Sequence, residues 1–180
     1  MPIEIEIKLQ VDSHDPVRAR LERLGAARED HVEETNTFFD TVEHTLRSSG
    51  KGLRLRRKRS LDSGEVQLVL TFKGPRADGP IKRREEVELL VTDADATIAL
   101  LAGLGYHPAL SFNKHRETWL LDECHVELDE LPPLGRFVEI EGPSESAVLS
   151  LRRRLELHDA AVVTPTYAEL LDAHGGASGT

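Results

Sequence analysis

Ile3-Glu4-Ile5-Glu6-Ile7-Lys8-Leu9-Gln10-Val11 alternates without a break, placing Ile3, Ile5, Ile7, Leu9 and Val11 on one side and Glu4, Glu6, Lys8 and Gln10 on the other. A period of two is the pattern of a strand with one apolar and one polar face. Similar stretches follow at approximately 28–40, 52–60, 65–73, 81–91, 109–121, 123–130 and 136–142, which makes eight strands in all. Gly and Pro turns separate several of them, at Ser63-Gly64, Gly74-Pro75, Gly79-Pro80 and Pro132-Pro133. Three helices interrupt the series. Asp15 is placed to cap the first, with Pro16 at its first position, Val17, Leu21 and Leu24 on its apolar side and Gly25 as its stop. The second runs from about Asp95 to Leu104, and the third starts near Ser144 with Val148, Leu151 and Leu155 on one stripe.

A length of 180 residues suffices for one domain with its own core. The expected organisation is a single domain over 1–173 and a flexible Gly-rich tail over 174–180. Lys and Arg total 23 against 32 Asp and Glu, a net charge of −9, which disfavours a general coat for nucleic acid or anionic membrane. Any anion site must be local. The one cysteine, Cys124, allows no internal disulfide and no cysteine-built zinc site. Carboxylates at Glu4 and Glu6 stand where a signal peptide would be apolar, and no apolar run approaches the length of about 20 residues that a membrane span needs. The expected location is the cytoplasm. A weak echo links Glu4-Ile5-Glu6, followed by a helix and Leu24-Gly25, with Glu86-Val87-Glu88, followed by a helix and Leu104-Gly105. Duplication of a half-barrel and chance likeness both account for it.

The polar alternations are charged rather than merely wet. They run Glu4, Glu6, Lys8; Arg54, Arg56, Lys58; Lys73; Lys82, Arg84, Glu86, Glu88; Lys114, Arg116; Asp129; and Glu139, Glu141. Closing eight strands into a barrel sends every second residue inward and leaves the apolar residues to be covered by the helices outside. Each buried ion needs a partner, so such an interior is costly unless it binds something wet and multiply charged. Glutamates at i and i+2 on a strand project together about 6.5–7 Å apart, close enough to share one divalent cation or serve two. Ligands of oxygen alone point to Mg²⁺ or Mn²⁺, and arginine forks bind phosphate oxygens in pairs. Acids for metal and bases for phosphate compose a phosphoryl-transfer site and select a polyphosphate.

Other features read more simply. Arg54-Leu55-Arg56-Arg57-Lys58-Arg59 could edge a nucleic acid, but it lacks interleaved aromatics and its leucines keep the strand period. The eight histidines show no metal-ligand spacing, Gly50-Lys51-Gly52 lacks the rest of a phosphate loop, and Trp119, Tyr106 and Cys124 read as packing residues.

Taken in order, Glu4-x-Glu6-x-Lys8, Asn36-Thr37-Phe38-Phe39-Asp40-Thr41, Leu53-Arg54-Leu55-Arg56, Leu70-Thr71-Phe72-Lys73-Gly74-Pro75, Arg84-Glu85-Glu86-Val87-Glu88, Lys114-His115-Arg116, and Asp129 with Leu134-Gly135-Arg136-Phe137-Val138-Glu139-Ile140-Glu141 resemble the CYTH family, the triphosphate tunnel metalloenzymes, over about residues 2–172. The resemblance implies an α+β fold dominated by β, with an eight-stranded antiparallel barrel forming a tunnel and helices packed outside. By matched position it assigns Glu4, Glu6, Glu139 and Glu141 to metal, with Asp129, Glu86 and Glu88 as further acids, and Mg²⁺ or Mn²⁺ as the cofactor. It gives Lys8, Arg54, Arg56, Lys73, Arg84, Lys114 and Arg116 to the phosphates, and makes Lys8, Lys73, Glu139 and Glu141 the catalytic set. Leu104-Gly105-Tyr106-His107-Pro108 onward and Thr166-Tyr167-Ala168-Glu169-Leu170-Leu171 are similar to the class IV adenylyl cyclase branch. Ile7 stands where short tripolyphosphatases commonly carry arginine, and Thr166 where the branch commonly has serine.

The implied substrate is ATP, thiamine triphosphate or tripolyphosphate; nucleic acid and membrane are not expected partners, and a homodimer is admitted. Attack by a ribose 3′-hydroxyl on the α-phosphorus would yield cyclic AMP and pyrophosphate, whereas attack by water on the terminal phosphorus would make the chain a triphosphatase. A binding module that holds the polyphosphate without turnover is the rival from another class.

Overall fold

The computed structural model describes residues 3–77 and 79–177. Its strands are β1 (Ile3–Val11), β2 (Ala27–Asp40), β3 (Gly52–Ser60), β4 (Val66–Lys73), β5 (Lys82–Val91), β6 (His107–Leu121), β7 (Cys124–Leu131) and β8 (Gly135–Glu141). They hydrogen-bond in the closed order β1-β5-β4-β3-β2-β6-β7-β8, and the registered neighbours run antiparallel. The eight-stranded antiparallel barrel expected from the alternation is the fold. No described helix is long and apolar enough to cross a membrane.

By its contacts the chain forms two compact units, one of residues 3–4, 32–77 and 83–113, the other of residues 5–31, 79–82 and 114–177. In the first, helix α3 (Ala94–Gly103) sets Leu101 against Phe39 and Leu55, with Leu53, Leu70, Val91, Ile98 and Tyr106 around them. In the second, α1 (Asp15–Arg23) contributes Val17 and Leu21, and α4 (Glu145–Arg154) contributes Val148 and Leu151. These pack on Ile7, Leu9, Trp119, Val126, Leu128, Val138 and Ile140. Every strand residue in these cores comes from the apolar alternation. Gly142 makes one close approach possible, because a Cβ there would stand 2.8 Å from Cys124 Sγ.

The helix starts depart from expectation in one case. Asp15 is the first residue of α1 and not its cap; His14 occupies the cap position without a side-chain cap bond. The reason is that the His14 ring faces inward, with Nε2 3.0 Å from the Phe137 carbonyl, while Asp15 pairs with Arg18. Helix α3 begins one residue before Asp95 because Asp93 accepts the Ala96 N–H, and Ser144 caps α4 by accepting the Ala147 N–H. Two helices were not expected. The four-residue α2 (Thr45–Ser48) depends on a distant carboxylate, and α5 (Tyr167–Ala177) begins with a reciprocal cap between Thr166 and Glu169. Helix α5 covers 174–177 of the segment expected as tail, and residues 178–180 lie outside the described residues.

The echo between β1–α1 and β5–α3 extends to how each helix stops. The Ala26 N–H bonds Leu21 O and the Tyr106 N–H bonds Leu101 O, each across a glycine of positive φ, Gly25 and Gly105. Helix α4 ends the same way across Glu156, at φ 54°, with the Leu157 N–H on Arg152 O. A third use of the stop, by a residue other than glycine, means that it does not single out the first two units as a duplication.

Asp40 anchors α2 by accepting the N–H groups of Thr41, Leu46 and Arg47 at 2.8, 2.9 and 3.0 Å. Burial pushes its carboxyl up, but these three backbone donors outweigh it and hold the pKa below the ordinary 3.8. A folded-state pKa below the unfolded one stabilises the protein above the ordinary value, and that contribution is lost as pH falls through the depressed value. Asp40→Asn is expected to cost about 1–3 kcal/mol at neutral pH. Urea unfolding should show the gap to wild type narrowing as pH drops below about 4.

Candidate active site

Strand parity puts a charged cluster on each compact unit. In the first, β3 and β4 pair Arg54 with Thr71 and Gly52 with Lys73, while β4 and β5 pair Lys73 with Glu86 and Thr71 with Glu88. Lys73 Nζ donates to Glu86 at 2.6 Å and approaches Glu4 at 3.5 Å; Arg84 Nε donates to the other oxygen of Glu4 at 3.1 Å. Arg54 donates to Thr71 Oγ1 at 3.3 Å and lies 3.6 Å from Glu88, which accepts the Thr71 hydroxyl at 2.9 Å. Arg56 donates to Asn36 Oδ1, whose amide in turn donates to Glu34, a carboxylate with no exposure to solvent.

These environments shift the titration of the cations. Burial, reinforced by Arg54 and Arg84, brings Lys73 down to about 8 although Glu4 and Glu86 oppose it. Burial with Arg56 close by lowers Arg54 to about 10. For Glu86, burial raises the pKa, but Lys73 and Arg54 more than reverse it.

The second cluster is built on β1, β6, β7 and β8. Register sets Lys8 beside Glu139, Glu6 beside Glu141, Arg116 beside Asp129, and Glu127 beside Glu139. Lys8 Nζ stands 3.4 Å from Glu139, and Lys82 pairs with Glu6. Asp129, wholly buried, accepts from Lys114 at 2.9 Å, from Arg116 Nε at 2.6 Å and from the Tyr167 hydroxyl at 2.8 Å. The same guanidinium reaches Glu139 at 2.7 Å and pairs with Glu127. Three carboxylates therefore meet one arginine. Burial raises Glu127, and Glu139 and Asp129 add to the rise against Arg116, so its pKa stands at about 8. Glu139 is also pushed up by burial, yet Lys8, Arg116, Lys114 and Lys82 together hold it well below the ordinary range.

All the expected site residues lie on the polar alternation, divided between the clusters. Glu4, Arg54, Arg56, Lys73, Arg84, Glu86 and Glu88 belong to the first; Glu6, Lys8, Lys114, Arg116, Asp129, Glu139 and Glu141 belong to the second. Glu34, Asn36, Lys82, Glu127 and Tyr167 also take part in these networks. For the strand residues the signal was parity: Glu34 and Asn36 are two residues apart on β2, Lys82 and Arg84 on β5, and Glu127 precedes Asp129 by two on β7; Tyr167, at the start of a helix, had no such signal. Arg57, on the opposite face of β3, is exposed.

The donor chemistry fits a hard divalent cation, because the acids on these faces offer oxygen without histidine or thiolate. Among the described residues no three His, Cys, Asp or Glu side chains stand grouped as a cation cage. The carboxylates face lysine and arginine instead, so metal entry would require some of those ion pairs to open.

The chain belongs to the CYTH domain family, whose model matches residues 2–162. It is 32% identical to adenylate cyclase CyaB of Aeromonas hydrophila over 160 residues, covering 88% of this chain and 78% of that protein. Among solved structures it is similar to the PH1819 protein of Pyrococcus horikoshii OT3, with a TM-score of 0.81 at 26% identity, covering 95% of this chain and 99% of the other. It also shares its fold with a Hippeastrum protein described as a putative adenylyl cyclase with a dominant triphosphatase activity, at a TM-score of 0.73 and 18% identity, over 95% of this chain and 96% of that one.

Asp129 holds two buried cations and a phenol, so Asp129→Asn should leave Lys114 and Arg116 short of compensation and cost about 3 kcal/mol. Glu88→Gln, at a side chain 49% exposed, should cost less than about 1 kcal/mol. Chemical denaturation of both variants checks the contrast.

Proposed function

We propose that this chain is a divalent-metal-dependent enzyme acting on a triphosphate, in the manner of a class IV adenylyl cyclase that converts ATP to cyclic AMP and pyrophosphate. The observation that carries the reading is the burial of Lys8, Arg54, Arg56, Lys73, Lys114 and Arg116 on inward strand positions among carboxylates. A scaffold gains little by burying so many cations, since each buried pair roughly offsets its own desolvation. A polyanion is the ligand that such a set accommodates. Similarity to adenylate cyclase CyaB directs the choice of reaction.

In this reading Arg54, Arg56, Arg84 and Arg116 take phosphate oxygens through their forked donors, and Lys8, Lys73 and Lys114 add point charges. Glu4, Glu6, Glu139 and Glu141, with Asp129, Glu86 and Glu88, would hold Mg²⁺ or Mn²⁺, which when bound supplies charge neutralisation at the phosphates. As phosphate oxygens engage the cations, the carboxylates now paired with them become free to ligate. Lys8 and Lys73 orient the reacting groups in line, and Glu139 and Glu141 complete the catalytic set. The grip acts on phosphate oxygens whatever else the substrate carries, so water in place of the ribose hydroxyl gives the second reading, a triphosphatase.

Two experiments test this. With ATP and Mg²⁺ or Mn²⁺ the protein should release cyclic AMP and pyrophosphate in equal amounts, and 3′-deoxy-ATP, lacking the nucleophile, should bind without reacting. Orthophosphate released from the analogue as fast as from ATP would establish the triphosphatase, and no turnover of ATP, thiamine triphosphate or tripolyphosphate would leave a binding module. Separately, Arg54→Ala and Arg56→Ala should each weaken triphosphate binding about tenfold or more, as loss of a charge-assisted bond predicts. Arg57→Ala, on the outer face, should change it less than about twofold; equal losses at all three would reject the assignment.

A further inference from the structure

The segment between α4 and α5 is built onto β1. The Gln10 N–H bonds Ala161 O at 3.0 Å, the Val163 N–H bonds Lys8 O at 2.9 Å, and Leu9 bridges Val162 while also pairing with Val138 of β8. This strap thus lies beside residues 8–10 of β1 on the side away from β8, at the residue next to Lys8. It continues into Pro165, whose carbonyl accepts from Lys8 Nζ at 3.1 Å, and into Tyr167 at the start of α5. The Lys8 ammonium lies 3.8 Å from the centre of the Tyr167 ring, and Lys114 lies 5.1 Å from it. The phenol is buried, donates to Asp129 and meets Phe137 edge-on at 5.3 Å between ring centres.

Such a ring has two jobs available. As hydrophobic filling it would need no cation over its face, whereas a buried hydroxyl needs an acceptor in either job. Its π-face attracts an ammonium most strongly where water is excluded, and burial with the edge-on contact to Phe137 holds the ring in place with or without its hydroxyl. Lys8 has four methylenes of rotational freedom, so its usefulness to a phosphate depends on something that holds its head group. Glu139 alone does not, because that carboxylate is shared with Arg116.

We propose that Tyr167 is a positioning residue, its ring fixing the Lys8 ammonium from one side while the strap carbonyl of Pro165 fixes it from another. The inference rests on the reading of Lys8 as a phosphate-binding lysine, and it makes the C-terminal strap part of the working site rather than a cover.

The test uses the full chain with lysine methylenes labelled for NMR, the sequence having six lysines, and inorganic tripolyphosphate as the calorimetric probe. In wild type the Lys8 protons next to nitrogen should be displaced upfield by the ring. Tyr167→Phe should keep that displacement and bind tripolyphosphate within about threefold of wild type, whereas Tyr167→Leu should lose the displacement and bind about tenfold more weakly. Wild-type affinity with unmoved Lys8 resonances in Tyr167→Leu would overturn the proposal. So would loss of the displacement in Tyr167→Phe, which decides the matter alone if the leucine variant does not fold. Absence of tripolyphosphate binding in wild type would reject the triphosphate reading instead, and the resonance comparison would then still judge whether the ring positions Lys8.

Discussion

Charge balance on the inward strand faces is the constraint on which the rest of this protein depends. A buried ion without a partner costs several kcal/mol, so a sheet face carrying Arg54, Arg56, Lys73 and Arg84 requires carboxylates within reach of them. Glu4, Glu34, Glu86 and Glu88 meet that requirement in one unit. In the other, Lys8, Lys82, Lys114 and Arg116 face Glu139, Glu6 and Asp129, with Glu127 raised towards neutrality where the acids crowd. Each cluster is close to neutral as it stands. On the triphosphate reading proposed above, a polyanion arriving with divalent cations would exchange one set of balanced pairs for another.

Register converts that balance into geometry. Lys8 lies opposite Glu139 and Arg116 opposite Asp129 because β1, β6, β7 and β8 pair where they do. A slip of one residue would turn Ile7 and Leu9 inward and drive Lys8 into the apolar layer under α1 and α4. The cores described by Ile7, Leu9, Val126, Val138 and Ile140 in one unit, and by Phe39, Leu55 and Leu101 in the other, are therefore what fixes the polar faces. Hydrophobic burial sets the register, and register places the ions.

Alternation in the sequence is enough to place the strands, their inward and outward faces and most members of the two charged clusters. A period of two is a local property, so Glu4, Glu6, Lys8, Arg54, Arg56, Lys114 and Arg116 could be assigned to the polar side from their spacing, and the three longer helix patterns before residue 160 were legible from their apolar stripes and stops. The order of the motifs added the family resemblance, which the family match over residues 2–162 bears out. Local signals also existed for what was passed over: Thr166 and Glu169 form a capping box three residues apart, and Glu127 keeps the parity of Asp129.

Only the tertiary structure decided the pairings. That Glu34 is wholly buried behind Asn36 and Arg56, that His14 turns to the Phe137 carbonyl and leaves Asp15 inside the helix, and that Asp40 holds α2 all depend on side chains brought together from different elements. The same holds for Tyr167, which is 159 positions from Lys8 in the chain yet lies under its ammonium. Alternation says which face a residue occupies, and it carries no information about the partner across that face. The partner is set by strand order and register, which follow from burying the apolar faces of the sheet beneath its helices.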